Sequence, residues 1–254
     1  MSQQQDFAGL ASEGLAIIDA AEKKGATLRL MGGVAVRMHT RNNLALYERL
    51  DRVPGDLDFM GLSKQSRAVK ESMESLGYGP NQQLNAFHGH KRQLWYSKTN
   101  HVDILFDMFE MCHVLDLKGR LDHDRPTISL ADLFLQKIQI VEINEKDIKD
   151  IYIMLIEHEL SEKEQHDKIN LEYVAKLLGE DWGFWYTTNM NLGKAKGMLD
   201  NYPQLTREEK QFVSTKIDLI SGKIADSPKS FKWKMRDRIG TKTKWYNTVE
   251  EVVR

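Results

Sequence analysis

Between Phe7 and Lys24, apolar residues recur at helical spacing, with Phe7, Leu10, Leu15, Ile17, Ile18 and Ala21 roughly on one side; the spacing predicts an amphipathic helix. "TLRLM" (27–31) then alternates as a short strand and runs into Gly32 and Gly33, after which "VAVRMH" opens a helix. "DLDFMG" (56–61) is a second strand closed by Gly61. The helical stretch "SKQSRAVKESMESLG" follows, with Ser63 as its expected cap and Gly77 as its stop. "RQLWYSK" and "HVDILFDMF" read as further strands, divided by a turn at Asn100.

The pattern changes from Ser129. "SLADLFLQKIQIVEINEKDIKDIYIMLIEHEL" spaces its apolar residues three and four apart and holds neither proline nor glycine, so it reads as helix. Most of the remaining chain does the same. The expectation is an α/β (α+β) chain, with a small mixed sheet and flanking helices over residues 1–127 and a mostly helical lobe over residues 128–254.

Composition narrows this only slightly. With 254 residues, 41% apolar and 29% charged, the chain can bury a substantial core, and nothing in it suggests a disordered or collagen-like protein. A formal net charge of −1 makes the whole molecule no electrostatic magnet for nucleic acid, although local asymmetry can matter. The amino terminus lacks the pattern of a secretory signal, and no apolar run approaches the ~20 residues that span a bilayer. The single cysteine, Cys112, excludes an intramolecular disulfide and fits a reducing compartment. A cytoplasmic protein without membrane contact is expected.

The candidate chemistry lies in the strands. Alternation puts Asp56 and Asp58 on one face while Leu57 and Phe59 enter the other, and Val102 and Ile104 flank Asp103 in the same way. If the two strands are neighbours, three carboxylates converge. Such a group repels itself unless it takes up protons or a cation, and magnesium suits it because that ion is hard, prefers oxygen and keeps positions for substrate phosphates. Gly32 and Gly33 would let a phosphate approach the backbone at a helix start. Read alone, the glycine pair is a plain tight turn and the D-x-D a solvated edge strand.

The order GG, then D-L-D on a strand, then V-D-I on a later strand resembles the nucleotidyltransferase-fold superfamily that includes DNA polymerase β. "MGGVAVRMH" through "RVPGDLDFMG" looks most like the toxin-like branch found in abortive-infection and toxin–antitoxin systems, where a basic residue, here Arg52, precedes the acidic pair. The likeness runs from about Thr27 to Leu155 and extends to a helical lysine and a later lysine and aspartate pattern at Lys137, Lys146, Asp147 and Asp150. It implies transfer of a nucleoside monophosphate from a nucleoside triphosphate, ATP or GTP for example, with release of pyrophosphate.

Under that resemblance Asp56, Asp58 and Asp103 hold two magnesium ions, or manganese in their place, and Asp103 also helps deprotonate or orient the acceptor hydroxyl. Gly32 and Gly33 face the triphosphate, and Lys137 pairs with a phosphate oxygen, Asp150 serving to orient it. A cognate antitoxin is an implied partner. Two departures stand out. Many members have serine where this chain has Gly33, and Asp107 shares strand parity with Asp103 as a rival third carboxylate. A catalytically silent member that binds nucleotide or RNA is the alternative.

Other features have plainer readings beside functional ones. His88, His90, His101, His113 and His123 with Cys112 match no standard zinc spacing, and His88 and His90 read as loop residues. Lys137 can equally be a surface lysine whose stem covers apolar neighbours. The stretch "SPKSFKWKMRDRIGTKTKWYN" gathers Lys229, Lys232, Lys234, Arg236, Arg238, Lys242 and Lys244 against Asp237, with Phe231, Trp233, Trp245 and Tyr246 interleaved. It can follow an RNA backbone and stack bases, which makes an RNA end such as that of a transfer RNA an attractive acceptor. The simpler reading is an amphipathic helix with Phe231, Met235 and Ile239 facing a core, and "EDWGFWYTTNM" (180–190) likewise reads as packing.

Overall fold

In the computed structural model, the structure describes residues 3–40, 43–98 and 100–249, with side chains from residue 7. The chain order is α1 (Gln3–Lys23), β1 (Leu28–Met31), α2 (Gly32–His39), α3 (Leu44–Arg49), β2 (Leu57–Gly61), α4 (Ser66–Ser75), β3 (Gly79–Pro80), α5 (Gln82–His88), β4 (Arg92–Tyr96), β5 (His101–Phe106), β6 (Met108–Glu110) and β7 (Val114–Asp116). It continues with α6 (Leu130–Ile138), α7 (Glu145–Glu157), β8 (Glu159–Ser161), β9 (Lys168–Asn170), α8 (Leu171–Glu180), α9 (Trp182–Gly197), α10 (Arg207–Asp226) and α11 (Phe231–Ile239). The protein is mixed α/β with a helical carboxyl-terminal region. Among the described residues, no helix is long and apolar enough to cross a membrane.

Two compact units divide the chain: Met1–Asn42, Val53–Phe109 and Leu115–Leu133 in one, Asn43–Arg52, Glu110–Val114 and Phe134–Arg254 in the other. Sequence patterning suggests one cut near residue 127, whereas the units interleave. The reason lies in two early segments that bond within the later one. Arg52 pairs with Asp150, and the His113 amide donates to Gln139 Oε1 at 2.9 Å.

The first unit is built on a sheet of order β1-β2-β5-β4-β3. β2 runs antiparallel to β1 and parallel to β5, and β4 is antiparallel to β5. Alternating apolar residues make these strands: Leu57, Phe59, Val102, Ile104 and Trp95 are all buried, each contributing about 1.5–3 kcal/mol of hydrophobic burial. α1 packs against α4, α2 and β1. The outer edge of β1 is covered by the 124–128 segment, since the Leu30 amide donates to the Pro126 carbonyl and the Ile128 amide to the Leu30 carbonyl, both at 2.9 Å.

Local differences from the patterning have identifiable causes. Ser63 does not cap a long helix; a 3-10 turn occupies Ser63–Gln65, α4 begins after it, and the Ser63 hydroxyl donates to Asp107 instead. Gly77 does close α4, in the left-handed region at φ 82°. His88 ends the short helix α5 rather than lying in a loop.

In the second unit, the expected continuous helix from Leu130 breaks between α6 and α7. There the Asn191 amide donates to the Ile138 and Ile140 carbonyls at 2.8 Å each, and Asn144 caps α7 by accepting from the Asp147 amide. Those bonds replace the intrahelical ladder. α8, α9 and α10 likewise begin at side-chain caps, Asn170, Asp181 and Thr206. α10 packs on α7, α8 and α9, and a small parallel pair, β8 with β9, adds strand to a region expected to be mostly helical.

Candidate functional site

Asp58 lies in a central strand. β1 and β5 flank β2, so its backbone bonds on both sides and the reading of a solvated edge does not hold. The register sets Met31 opposite Asp58 on one side and Asp103 opposite Asp58 on the other, both in line across the sheet. Neighbouring strands lie about 4.7–4.9 Å apart, so the register brings these two carboxylates side by side.

Directly after Met31 the chain turns at Gly32, whose φ is 70°. A Cβ built on Gly32 would stand 2.9 Å from Asp58 Oδ2. Two requirements therefore select glycine here: the left-handed backbone and the close approach of a carboxylate. Gly32 and Gly33 open α2, and Met31 at its cap position supplies no side-chain hydrogen bond. A carboxylate beside this helix start is electrostatically favoured by the helix dipole.

Asp103 is buried and held in a bidentate ion pair by Arg92 of β4, at 2.9 and 2.5 Å. The hydrogen bonds to Asp103 raise the pKa of Arg92 against the effect of burial, and the charges of Asp103 and Asp58 add to the rise. Patterning missed Arg92, because an arginine at a strand's first position carries no local sign of the carboxylate it will meet.

Asp56 precedes β2 and is 53% exposed, with His101 Nε2 3.4 Å from its carboxylate. Asp107, the rival third carboxylate, lies beyond the end of β5 at φ 65°, where a left-handed residue breaks the strand parity. It accepts from the Ser63 amide at 3.0 Å and the Ser63 hydroxyl at 2.5 Å, with Lys118 3.7 Å away. Burial would raise its pKa, but the Ser63 bonds and Lys118 outweigh that and lower it. The register thus puts Asp103, not Asp107, beside Asp58.

Among the described residues, no three or more histidine, cysteine or acidic side chains form a group that could hold a metal ion. Arg92 engages Asp103, and Asp56 turns toward His101. Asp58 and Asp103 are hard oxygen donors in register, the chemistry a magnesium-type cation prefers, with both Asp103 oxygens engaged by Arg92.

Lys137 belongs to the second unit. Its ammonium lies 2.9 Å from both Asp147 and Asp150, and Asp150, fully buried, also takes a bidentate pair from Arg52 at 2.7 and 2.8 Å. Burial acts to lower the Lys137 pKa, yet the two carboxylates override it and raise it. The expected contact between Asp150 and Lys137 is present. Lys149 instead pairs with Glu145 along α7.

The same unit holds a pocket of about 530 Å³ between the start of α9, α11 and the segment after it, lined by Trp182, Trp233, Trp245 and Tyr246 together with Lys232 and Arg236. Phe231, Met235 and Ile239 are exposed at 79%, 44% and 45%, so the apolar stripe read from spacing does not face a core; Trp233 is the buried residue of α11. No protein-family model matches this chain, and no curated protein matches it.

Proposed function

We propose that the sheet unit binds a nucleoside triphosphate with magnesium and transfers its nucleoside monophosphate to an acceptor hydroxyl, releasing pyrophosphate. The observation that carries this reading is the placement of Asp58 opposite Asp103 on adjacent parallel strands, with Gly32 against the Asp58 carboxylate. In the reaction, the acceptor oxygen forms a bond to the α-phosphorus while the bond to the pyrophosphate oxygen breaks. The hydroxyl proton passes to Asp103 or to water.

Asp58 and Asp103 would hold a magnesium or manganese ion, with Asp56 joining them for the second ion that the resemblance implies. When bound, such ions supply charge neutralisation for the triphosphate and polarise the reacting oxygens. Gly32, at the start of α2, would face the triphosphate, and Arg92 would share Asp103 or yield it. Lys137 lies in the helical unit, where its ammonium is engaged by Asp147 and Asp150. The acceptor is an RNA end, a protein hydroxyl or a small molecule.

The test is incubation with each α-labelled nucleoside triphosphate, magnesium and total RNA, beside Asp58→Asn. Label in RNA or protein from the wild type alone supports transfer; equal labelling by both overturns the assignment of Asp58. A second reading, a silent member that binds nucleotide or RNA, is favoured by the Arg92 pair, since Asp103 already has a counter-charge. Magnesium-dependent nucleotide binding without label in any acceptor would select it.

A further inference from the structure

The pocket of the helical unit is not used by the transfer reading. At about 530 Å³ it is in the range of small-molecule sites. Its flat walls are held in place. Trp182 stacks on Tyr186 with centroids 5.1 Å apart and donates its indole hydrogen to Asp237 at 2.6 Å. Trp245 donates to Thr187 at 3.1 Å and meets Tyr186 and Tyr246 edge to face. Rigid aromatic walls of this kind bind planar groups at low entropic cost.

Charge selects among planar groups. Arg236 lies 4.7 Å over the Trp182 ring and donates to the carbonyls of Gly240 and Thr243, so its guanidinium is fixed in the wall with no carboxylate partner among the described residues. Lys244 sits 4.9 Å over Tyr246, and Lys232 makes no hydrogen bond or ion pair among the described residues. Of the two acids in the lining, Asp181 is engaged as the cap of α9 by the Phe184 amide, leaving Glu180. His113 is kept neutral by burial. A positive surround disfavours a cationic ligand of the aromatic-cage type, and the fixed charges exceed what a neutral apolar ligand needs.

We infer that this pocket binds a nucleobase carrying a phosphate, presented by a free nucleotide or by the unpaired end of a nucleic acid strand. The base stacks on the half-buried rings of Trp245 and Tyr246 while Lys232, Arg236 and Lys244 meet the phosphate, combining the two interactions that hold single strands on proteins. The inference does not depend on transfer chemistry in the sheet unit.

Four of the five tryptophans, Trp182, Trp185, Trp233 and Trp245, lie in this unit, so their fluorescence reports on the pocket. We would titrate the full chain, without divalent metal, with AMP, single-stranded oligoadenylate and inorganic phosphate. The Lys232→Gln/Lys244→Gln double variant and Asp58→Asn would be run alongside. Saturable quenching is expected, weakened roughly tenfold or more in the double variant and unchanged in Asp58→Asn. Quenching by AMP and oligoadenylate alike identifies the free nucleotide as sufficient; quenching by the oligonucleotide alone identifies the strand end. No saturable quenching, an unaffected double variant, or phosphate competing as well as AMP would overturn the base site. Loss in Asp58→Asn would move the ligand to the sheet unit and also overturn it.

Discussion

Two clusters of charge, one in each unit, differ in burial. In the helical unit two carboxylates, Asp147 and Asp150, face two cations, Lys137 and Arg52, at 2.7–2.9 Å. In the sheet unit Asp103 pairs with the guanidinium of Arg92, whose pKa the charge of Asp58 also helps to raise, and the Asp58 carboxylate lies against Gly32, where a Cβ would stand 2.9 Å from Oδ2. A balanced buried cluster is satisfied by its own members and stabilises only as a set. A half-buried carboxylate, Asp58, in register with a second one can be reached by a ligand in a way that the fully buried Asp150 cannot. The sheet cluster is therefore the better place to look for chemistry, although the resemblance names residues in both.

The comparison breaks most sharply at Asp150. Asp150→Asn leaves Arg52 and Lys137 without their shared buried carboxylate and should cost about 3–5 kcal/mol, measured by denaturant unfolding. A loss below about 1 kcal/mol, the range of exposed pairs, would show the cluster to be looser than its geometry.

Arg92→Met tests the sheet cluster in the opposite sense. Without its guanidinium, Asp103 is buried beside Asp58, and stability should fall by about 2–3 kcal/mol, less than at Asp150 because the Arg92 side chain is 25% exposed. Millimolar magnesium or manganese should restore much of the loss in thermal melts, because a cation bound to the native state alone raises stability. No metal-dependent recovery would count against Asp58 and Asp103 as metal donors.

His113 extends the contrast to pH. Burial lowers its pKa from 6.5 to about 4, where it stacks on Phe184 and bonds Thr187. Its folded pKa lies below its unfolded one, so its contribution is complete above pH 6.5 and is lost as pH falls through about 4. The amount is on the order of 3 kcal/mol, read as the difference between the pH profiles of melting for wild type and His113→Phe. Identical slopes between pH 6.5 and 4 would refute it.

The smallest effect is expected at Gly32. Gly32→Ala meets both a φ of 70° and the Asp58 carboxylate, and should cost about 1–2 kcal/mol while weakening nucleotide binding in the sheet unit. Calorimetric titration with a nucleoside triphosphate checks the second part, and unchanged affinity would separate Gly32 from the phosphate role.

Some of this was legible along the chain because it depends on neighbours in sequence. Alternation from Leu57 to Phe59 gives a strand with Asp58 on the other face, and Gly77 ends α4 through its own backbone freedom. The break after Ile138 escaped notice because Asn191, which holds it open, comes 53 residues later. The stripe of Phe231, Met235 and Ile239 misled because periodicity reports an apolar face but not whether anything covers it.

By itself, then, the sequence determined the elements and the supply of chemistry: strands from alternation, helices from three- and four-residue spacing, a glycine pair, and carboxylates flanked by apolar residues. Only the tertiary structure decided that β5 lies parallel beside β2 with Asp103 opposite Asp58, that Arg92 reaches Asp103, and that Lys137 sits between two aspartates. Steric preference and periodicity act over a few residues, whereas register and ion pairing are set by the summed packing of segments far apart in the chain.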